Sequence, residues 1–306
     1  MKRYILHLAV ILAILSGATS CVKDTLSENS VIRVSETKQN DFDKWLEANF
    51  LLPYNIDFKY RFEMNESHMD YFTIPADYEG SIMMAHLVKY LCVETYDEVA
   101  GITFTRNYFP KMFFLMGEWE YRNNGDKVLG TAEGGNKIYL GGVNLIKDTL
   151  ENGYEDYLGD PLESLNFYYI HTIHHEFTHI LNQTVVYPVE FSMITGTAYV
   201  LDSCFDPPYD KEFLQRGFIS DYAQYADYED FAEMLAFYVT HDQAWWDARV
   251  SQAGDSAYLI EAKLDIVRTY MQDNFNIDID VLRQTVLRRQ NDVFAGRVDL
   301  HSIEIK

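Results

Sequence analysis

The sequence predicts an α+β fold, with strands gathered before residue 145 and helices after residue 161. Three observations predict it. Short apolar runs separated by glycine turns fill residues 110–145. Apolar residues then recur at helical spacing from Pro161 almost to the C-terminus. Within this second region lies a helical stretch with histidines at 171, 175 and 179, all on one face because positions four apart in a helix share a side.

The elements follow in order. Asp41 to Phe50 places Phe42, Trp45, Leu46 and Phe50 at amphipathic helical spacing, and Pro53-Tyr54-Asn55 ends the helix. Asn55 to Glu63 alternates, with Ile56, Phe58, Tyr60 and Phe62 on one side, which predicts a half-buried strand. Pro75 opens a helix carried by Tyr78 to Val99. Its core stripe is Met83, Met84, Leu87, Val88, Leu91 and Val99, and Gly101 stops it. Strands are expected at Met112 to Met116, Lys127 to Leu129 and Lys137 to Val143, with turns at Asn124-Gly125 and Gly134-Gly135. The run 136–142 reads either as an exposed edge able to pair with an extended peptide or as a buried strand. A helix spans Pro161 to about Asn182, with Leu162, Leu165, Tyr169, Ile173 and Ile180 on its core face. Residues 188–208 read as an irregular excursion with a short helix near Ile194 to Leu201. Helical patterns follow at 211–246, 251–275 and 281–293.

The 306 residues are 48% hydrophobic and 24% charged, a globular balance. Net charge is −22, which argues against a nucleic-acid partner, because phosphate binding needs a basic surface. At the N-terminus Lys2 and Arg3 precede an apolar run from Tyr4 to Leu15, too short for a membrane span and typical of a secretory signal. The following Ser16-Gly17-Ala18-Thr19-Ser20-Cys21 resembles a bacterial lipobox. That predicts a signal over 1–20, lipidation of Cys21 and a polar tether over 21–40. One domain then covers 41–306, with a mixed half (41–160) and a helical half (161–306). A lipid anchor would be the only membrane attachment. Val22-Lys23-Asp24 resembles the export tag of surface lipoproteins in Bacteroidetes. Cys92 and Cys204 are far apart and read as two separate buried thiols.

His175-Glu176-Phe177-Thr178-His179 has the form H-E-x-x-H. Two imidazoles one helical turn apart can meet one metal ion, and the glutamate between them is placed to act on a water there. His171 and His175 share the same spacing but lack that glutamate, so His175 and His179 are the expected ligands. His171 is expected at the cleft wall, and His174 is expected to be structural or exposed. A catalytic zinc wants three protein ligands and an open position. Val185 stands where metzincins place a third histidine, which leaves an acid from another helix. Glu229 and Glu233 lie four apart within Tyr228-Glu229-Asp230-Phe231-Ala232-Glu233, whose Phe231, Leu235 and Tyr238 can pack on the first helix. One carboxylate can bind metal while the other holds a ligand histidine.

H-E-x-x-H followed by Glu229-Asp230-Phe231-Ala232-Glu233 resembles the gluzincin metalloproteases, and most of all the anthrax lethal factor catalytic domain, over about 80 residues. The resemblance implies a zincin-like fold, a small mixed twisted sheet packed on the active-site helix. It also implies Glu229 as third ligand to a single Zn2+, Glu233 as the carboxylate behind a ligand, and Tyr222 as a donor to the transition-state oxyanion, with Tyr225 a spare. The wider order of signal, lipobox, Asp43-Lys44-Trp45, Pro53-Tyr54-Asn55 and the two zinc motifs resembles the zinc metallohydrolase lipoproteins associated with TonB-dependent substrate import in Bacteroidetes. That resemblance implies an outer-membrane or cell-surface protein with an import complex as partner.

The expected chemistry is amide hydrolysis of a peptide or protein, with Glu176 as general base. Two alternatives stand beside it. One is a non-catalytic accessory lipoprotein that binds protein or glycan at the import machinery, for which a 15% aromatic content would suit sugar stacking. The other is cleavage of a non-protein amide or ester. Glu176 favours hydrolysis, since a binding module has no need of it.

Overall fold

The computed structural model describes residues 38–305 apart from 65, 67–73, 122–126, 129, 134–135 and 155–158. The signal, Cys21, nearly all of the tether and the turns at Asn124-Gly125 and Gly134-Gly135 lie outside the described residues.

Helix α1 (Asp41–Leu46) starts at Asn40, whose side chain accepts from the Asp43 amide at 2.8 Å while Asp43 accepts from the Asn40 amide at 2.7 Å. The chain runs on through a wide turn, Glu47–Leu51, and a short one, Leu52–Tyr54, and Asn55 at φ 56° ends it. Strand β1 is only Asp57–Lys59. Ile56, Phe58 and Tyr60 point inward as expected, but Phe62 is 39% exposed, because pairing with the next strand stops at Lys59.

Helix α2 (Tyr78–Leu87) is capped by Asp77 rather than opened by Pro75, which instead bridges to Met116. It passes through a π-helical stretch, Val88–Val93, into α3 (Glu94–Ala100), and Gly101 at φ 84° stops it. The expected stripe is buried except for Val99, which is half-buried. After α4 (Ile102–Tyr108) come β2 (Met112–Leu115), a two-stranded ribbon of β3 (Glu120–Tyr121) and β4 (Lys127–Val128), then β5 (Gly130–Glu133) and β6 (Lys137–Leu140). The main sheet has the order β1-β2-β6-β5. β1, β2 and β6 are parallel, and β5 is antiparallel to β6. The run 136–142 is therefore an interior strand, and β5 is the edge. β6 stops at Leu140 rather than Val143, because Gly142 turns at φ 70° directly under the Trp119 ring, where a Cβ would lie 2.5 Å from the indole.

Helices α5 (Ile146–Asn152) and α6 (Pro161–Leu165) follow, the latter capped by Asp160 with Pro161 in its first turn. A π-helical stretch, Asn166–Ile170, joins α6 to α7 (His171–Thr184). The short helix of the excursion lies earlier than expected, as α8 (Val189–Thr195), and 3-10 turns at Gly196–Ala198 and Leu201–Phe205 come after it. The pattern at 211–246 is not one helix. Gly217 at φ 86° breaks it, Ser220 to Ala226 form a loop, and α9 (Asp227–Thr240) carries the acids before Asp242 caps α10 (Gln243–Gln252). Two long helices close the chain, α11 (Ala257–Phe275) and α12 (Ile279–Phe294). A small mixed sheet whose strands all lie before residue 141, interspersed with helices α1 to α4, and helices without strands after it among the described residues make this an α+β fold. Cys92 and Cys204 are both free and buried.

Helix α9 is the hub, packed on α7, α11 and α12. Phe231 stacks on Tyr187 and meets Phe191 and Tyr270, whereas Tyr238 faces Trp246 and Arg283 rather than the first helix. One turn of α9 buries Asp230 completely against Lys263 of α11, which is equally buried. Lys263 also donates to the Gly217 carbonyl at 2.8 Å and lies 4.0 Å from the centre of the Phe218 ring, and Tyr199 donates to Asp230 at 3.0 Å. Burial pushes the Asp230 carboxyl up to about 6 against the pull of Lys263. Removing one partner of such a pair leaves an uncompensated buried charge. Lys263→Met is therefore expected to destabilise the fold by about 3–5 kcal/mol, and Asp230→Leu combined with Lys263→Met by less than Lys263→Met alone. Urea denaturation of the two variants checks both, and a double variant worse than the single would contradict the account.

Candidate metal centre

The site is built where α7 crosses α9. On α7 the four-residue spacing sets His171, His175 and His179 along one face. On α9 Glu229 and Glu233 are likewise one turn apart. Both carboxylates are nearly buried, at 7% and 4% exposure, so each needs donors.

His175 sits between them and uses both ring nitrogens. Its Nε2 lies 2.9 Å from Glu229 Oε2 and 3.0 Å from His179 Nε2, and His179 Nε2 lies 3.0 Å from the same Glu229 oxygen. Its Nδ1 lies 2.7 Å from Glu233 Oε1. Three donor atoms on two helices thus converge on one point. A tetrahedral ion with bonds of ~2.0–2.2 Å would separate its donors by roughly 3.3–3.6 Å, about half an ångström more than the 2.9–3.0 Å seen. Two imidazoles and a carboxylate are the donor types a catalytic zinc takes, so His175, His179 and Glu229 fit that ion in both spacing and chemistry.

The electrostatics agree with the geometry. Burial works against ionisation of Glu229, but hydrogen bonds to His175 and His179 outweigh it and hold the carboxyl down at about 2. Burial also opposes charge on Glu233, and the His171 and His175 rings hold its carboxyl well below the usual range. In the metal-free protein burial disfavours a charged His175, yet Glu229 and Glu233 together raise its pKa well above the ordinary imidazole value.

Glu176, between the two ligands on α7, is half-buried and close enough to add its field to both His175 and Tyr222. Tyr222 is brought to the site: its hydroxyl donates to Glu229 Oε1 at 2.8 Å, so in this conformation it is engaged with the acid. Tyr225 stands beside it, 5.9 Å between ring centres. His171 is not at a cleft wall. It is buried, its Nε2 2.7 Å from Glu233 Oε1, with its ring against Phe237. His174 is structural and buried, sharing a 2.9 Å hydrogen bond with Tyr96, and burial drops its pKa to about 3. Ser220 escaped the sequence reading. Its hydroxyl donates to Glu233 Oε2 at 2.6 Å from a loop whose path no periodicity marks.

Residues 35–280 match a family described as "putative zinc-binding metallo-peptidase". Among solved structures, the chain is similar to a protein from Bacteroides caccae titled a putative zinc-binding metallo-peptidase. The two are 35% identical with a TM-score of 0.72, and the match covers 90% of this chain and all of that one. No curated protein matches the chain. With four-fifths of its length matched by one family and two imidazoles and a carboxylate that could hold a metal ion gathered between α7 and α9, this chain belongs to the zinc-binding metallo-peptidase family.

Proposed function

We propose that the protein is a zinc-dependent metallopeptidase or related amide hydrolase, with His175, His179 and Glu229 holding one ion and Glu176 as general base. The observation that carries this reading is the convergence of three donor atoms within 3.0 Å of one another while Glu176 occupies the turn between two of them. When bound, zinc supplies Lewis acidity for the scissile carbonyl and lowers the pKa of a water towards ~7. Glu176 accepts the proton of the attacking water on its carboxylate and delivers it to the leaving nitrogen. Glu233 accepts from His175 Nδ1 and so keeps Nε2 turned towards Glu229 and His179. Tyr222 is the group best placed to donate to an oxyanion, by turning its hydroxyl from Glu229 to the substrate. Cys21 carries the lipid in this reading, and the enzyme works at the outer membrane or cell surface alongside an import complex. The support for the lipid anchor is residues 2–24, and for the import complex it is the resemblance carried by that segment together with Asp43-Lys44-Trp45, Pro53-Tyr54-Asn55 and the two zinc motifs.

Three outcomes are expected. Glu176→Gln retains zinc at wild-type affinity but loses ~10²–10⁴-fold in turnover, the usual worth of a general base. Digestion of a peptide library beside wild type measures it, and a zinc-loaded wild type that cuts nothing the variant spares would sink the peptidase reading. Metal needs a deprotonated His175, and the carboxylates around that ring raise its proton affinity. Zinc affinity should therefore rise with pH and go on rising above 6.5, as a chelator-competition series across pH would record. Cys21→Ser should move the protein from the membrane fraction to the soluble one, and should abolish incorporation of labelled fatty acid.

A further inference from the structure

We propose that His171 and Ser220 are positioning residues: through Glu233 they fix the His175 ring, and with it the strength of metal binding. The proposal rests on the reading of His175 as a ligand.

Glu233 is gripped from three sides. Its Oε1 receives both His171 Nε2 and His175 Nδ1 at 2.7 Å, and its Oε2 receives the Ser220 hydroxyl at 2.6 Å. Ser220 Oγ itself accepts from the Ala223 amide at 3.0 Å, which turns its proton towards the carboxylate. A carboxylate with one oxygen shared by two rings and the other held by a hydroxyl has no free rotation. His175 can then present only Nε2 to Glu229 and His179.

His171 fills this role as a neutral ring. Its Nε2 donates to Glu233, and its Nδ1 is buried with no hydrogen-bond partner among the described residues, so a second proton there would be an unsolvated charge. The ring is wedged 4.3 Å from Phe237, centre to centre, which sets its plane. The same atoms have a rival use, because His171, His175 and Glu233 could hold a second ion. Their geometry speaks against it. Both nitrogens lie at hydrogen-bond distance from a single oxygen, 2.7 Å, shorter than the 2.9–3.0 Å spacing within the other trio. An ion at that place would also need a lone pair on His175 Nδ1, which has to carry a proton once Nε2 binds metal.

The test uses the folded wild-type chain, His171→Ala, His171→Gln and Ser220→Ala, each titrated with zinc against a chromophoric chelator. Thermal unfolding of the metal-free forms runs alongside. Outer partners of ligand histidines change metal affinity by about 10–100-fold. His171→Ala is expected to weaken zinc by that factor. His171→Gln, whose amide nitrogen reaches the place of Nε2, should recover most of it, and Ser220→Ala should weaken zinc in the same direction. All forms should bind one equivalent. Should His171→Ala prove too unstable to titrate, Ser220→Ala and His171→Gln decide alone. Unchanged affinity in the alanine variants overturns the proposal and leaves the ligand set standing. Two equivalents in wild type falling to one on loss of His171 overturns it in favour of a second ion. A wild type that binds no zinc overturns the ligand set as well.

Discussion

Everything in the helical half depends on one constraint: α9 buries three acids in little more than one turn. Glu229, Asp230 and Glu233 are each under 10% exposed. An ionised carboxylate without donors in such a place is far too costly to keep. Each acid is answered by its own set of donors, with His175 shared between Glu229 and Glu233. His175 and His179 of α7 and Tyr222 of the preceding loop answer Glu229. Lys263 of α11 and Tyr199 answer Asp230. His171 and His175 of α7 and Ser220 of the loop answer Glu233. The helix can therefore sit only where α7, α11 and the loop all reach it, and the metal centre is one part of that solution.

This explains how a segment of short, irregularly spaced turns comes to be part of the site. Residues 196–226 have little periodicity of their own, but they supply Tyr199, Ser220 and Tyr222 to acids of α9. Arg216 closes the segment on itself, donating to the Gln224 side chain and the Ala198 carbonyl. The backbone of Val200 and Leu201 is tied to Gln224 and Tyr225 as well. Order in the loop follows from the charges it satisfies. The sheet does different work. β5 packs beside α7 and forms the antiparallel edge, and β6 behind it is paired on both sides. An edge leaves backbone groups unpaired, the property an extended chain needs in order to dock.

The parts of this arrangement legible in the sequence were those set by spacing. His175 with His179, and Glu229 with Glu233, are four apart, and helix geometry alone puts each pair on one face. The strand-then-helix order gave the fold class for the same reason. Spacing says nothing about which nitrogen of a ring faces which oxygen, so His171, also four from His175, looked like a rival ligand or a wall residue. Ser220 was invisible because a loop has no period. Phe62 was expected inward because alternation continues past Lys59, but alternation cannot tell where a strand loses its partner. The π-helical stretches inside the helices at 78–100 and 161–184 shift the register of the following turn, and no residue pattern announces them.

The two nitrogens of His175 do what the spacing of Glu229 and Glu233 cannot. Two acids one turn apart on the same helix face are equivalent in sequence, and either could reach a metal. An imidazole has one nitrogen at each side of its ring, and the sides differ in reach. Nε2 points away from α7 towards the centre shared with His179, and Nδ1 lies nearer the helix, facing Glu233. An acid opposite Nε2 therefore competes for the same centre as His179, while an acid opposite Nδ1 can only orient the ring. The donors from His171 and Ser220 on Glu233 reinforce the division, because they hold its Oε1 on the Nδ1 side of the His175 ring and its Oε2 on the loop. Glu229 keeps Oε2 turned to both histidines, and its other oxygen is held by a single phenol. The division of labour between two like residues thus follows from one ring placed between them.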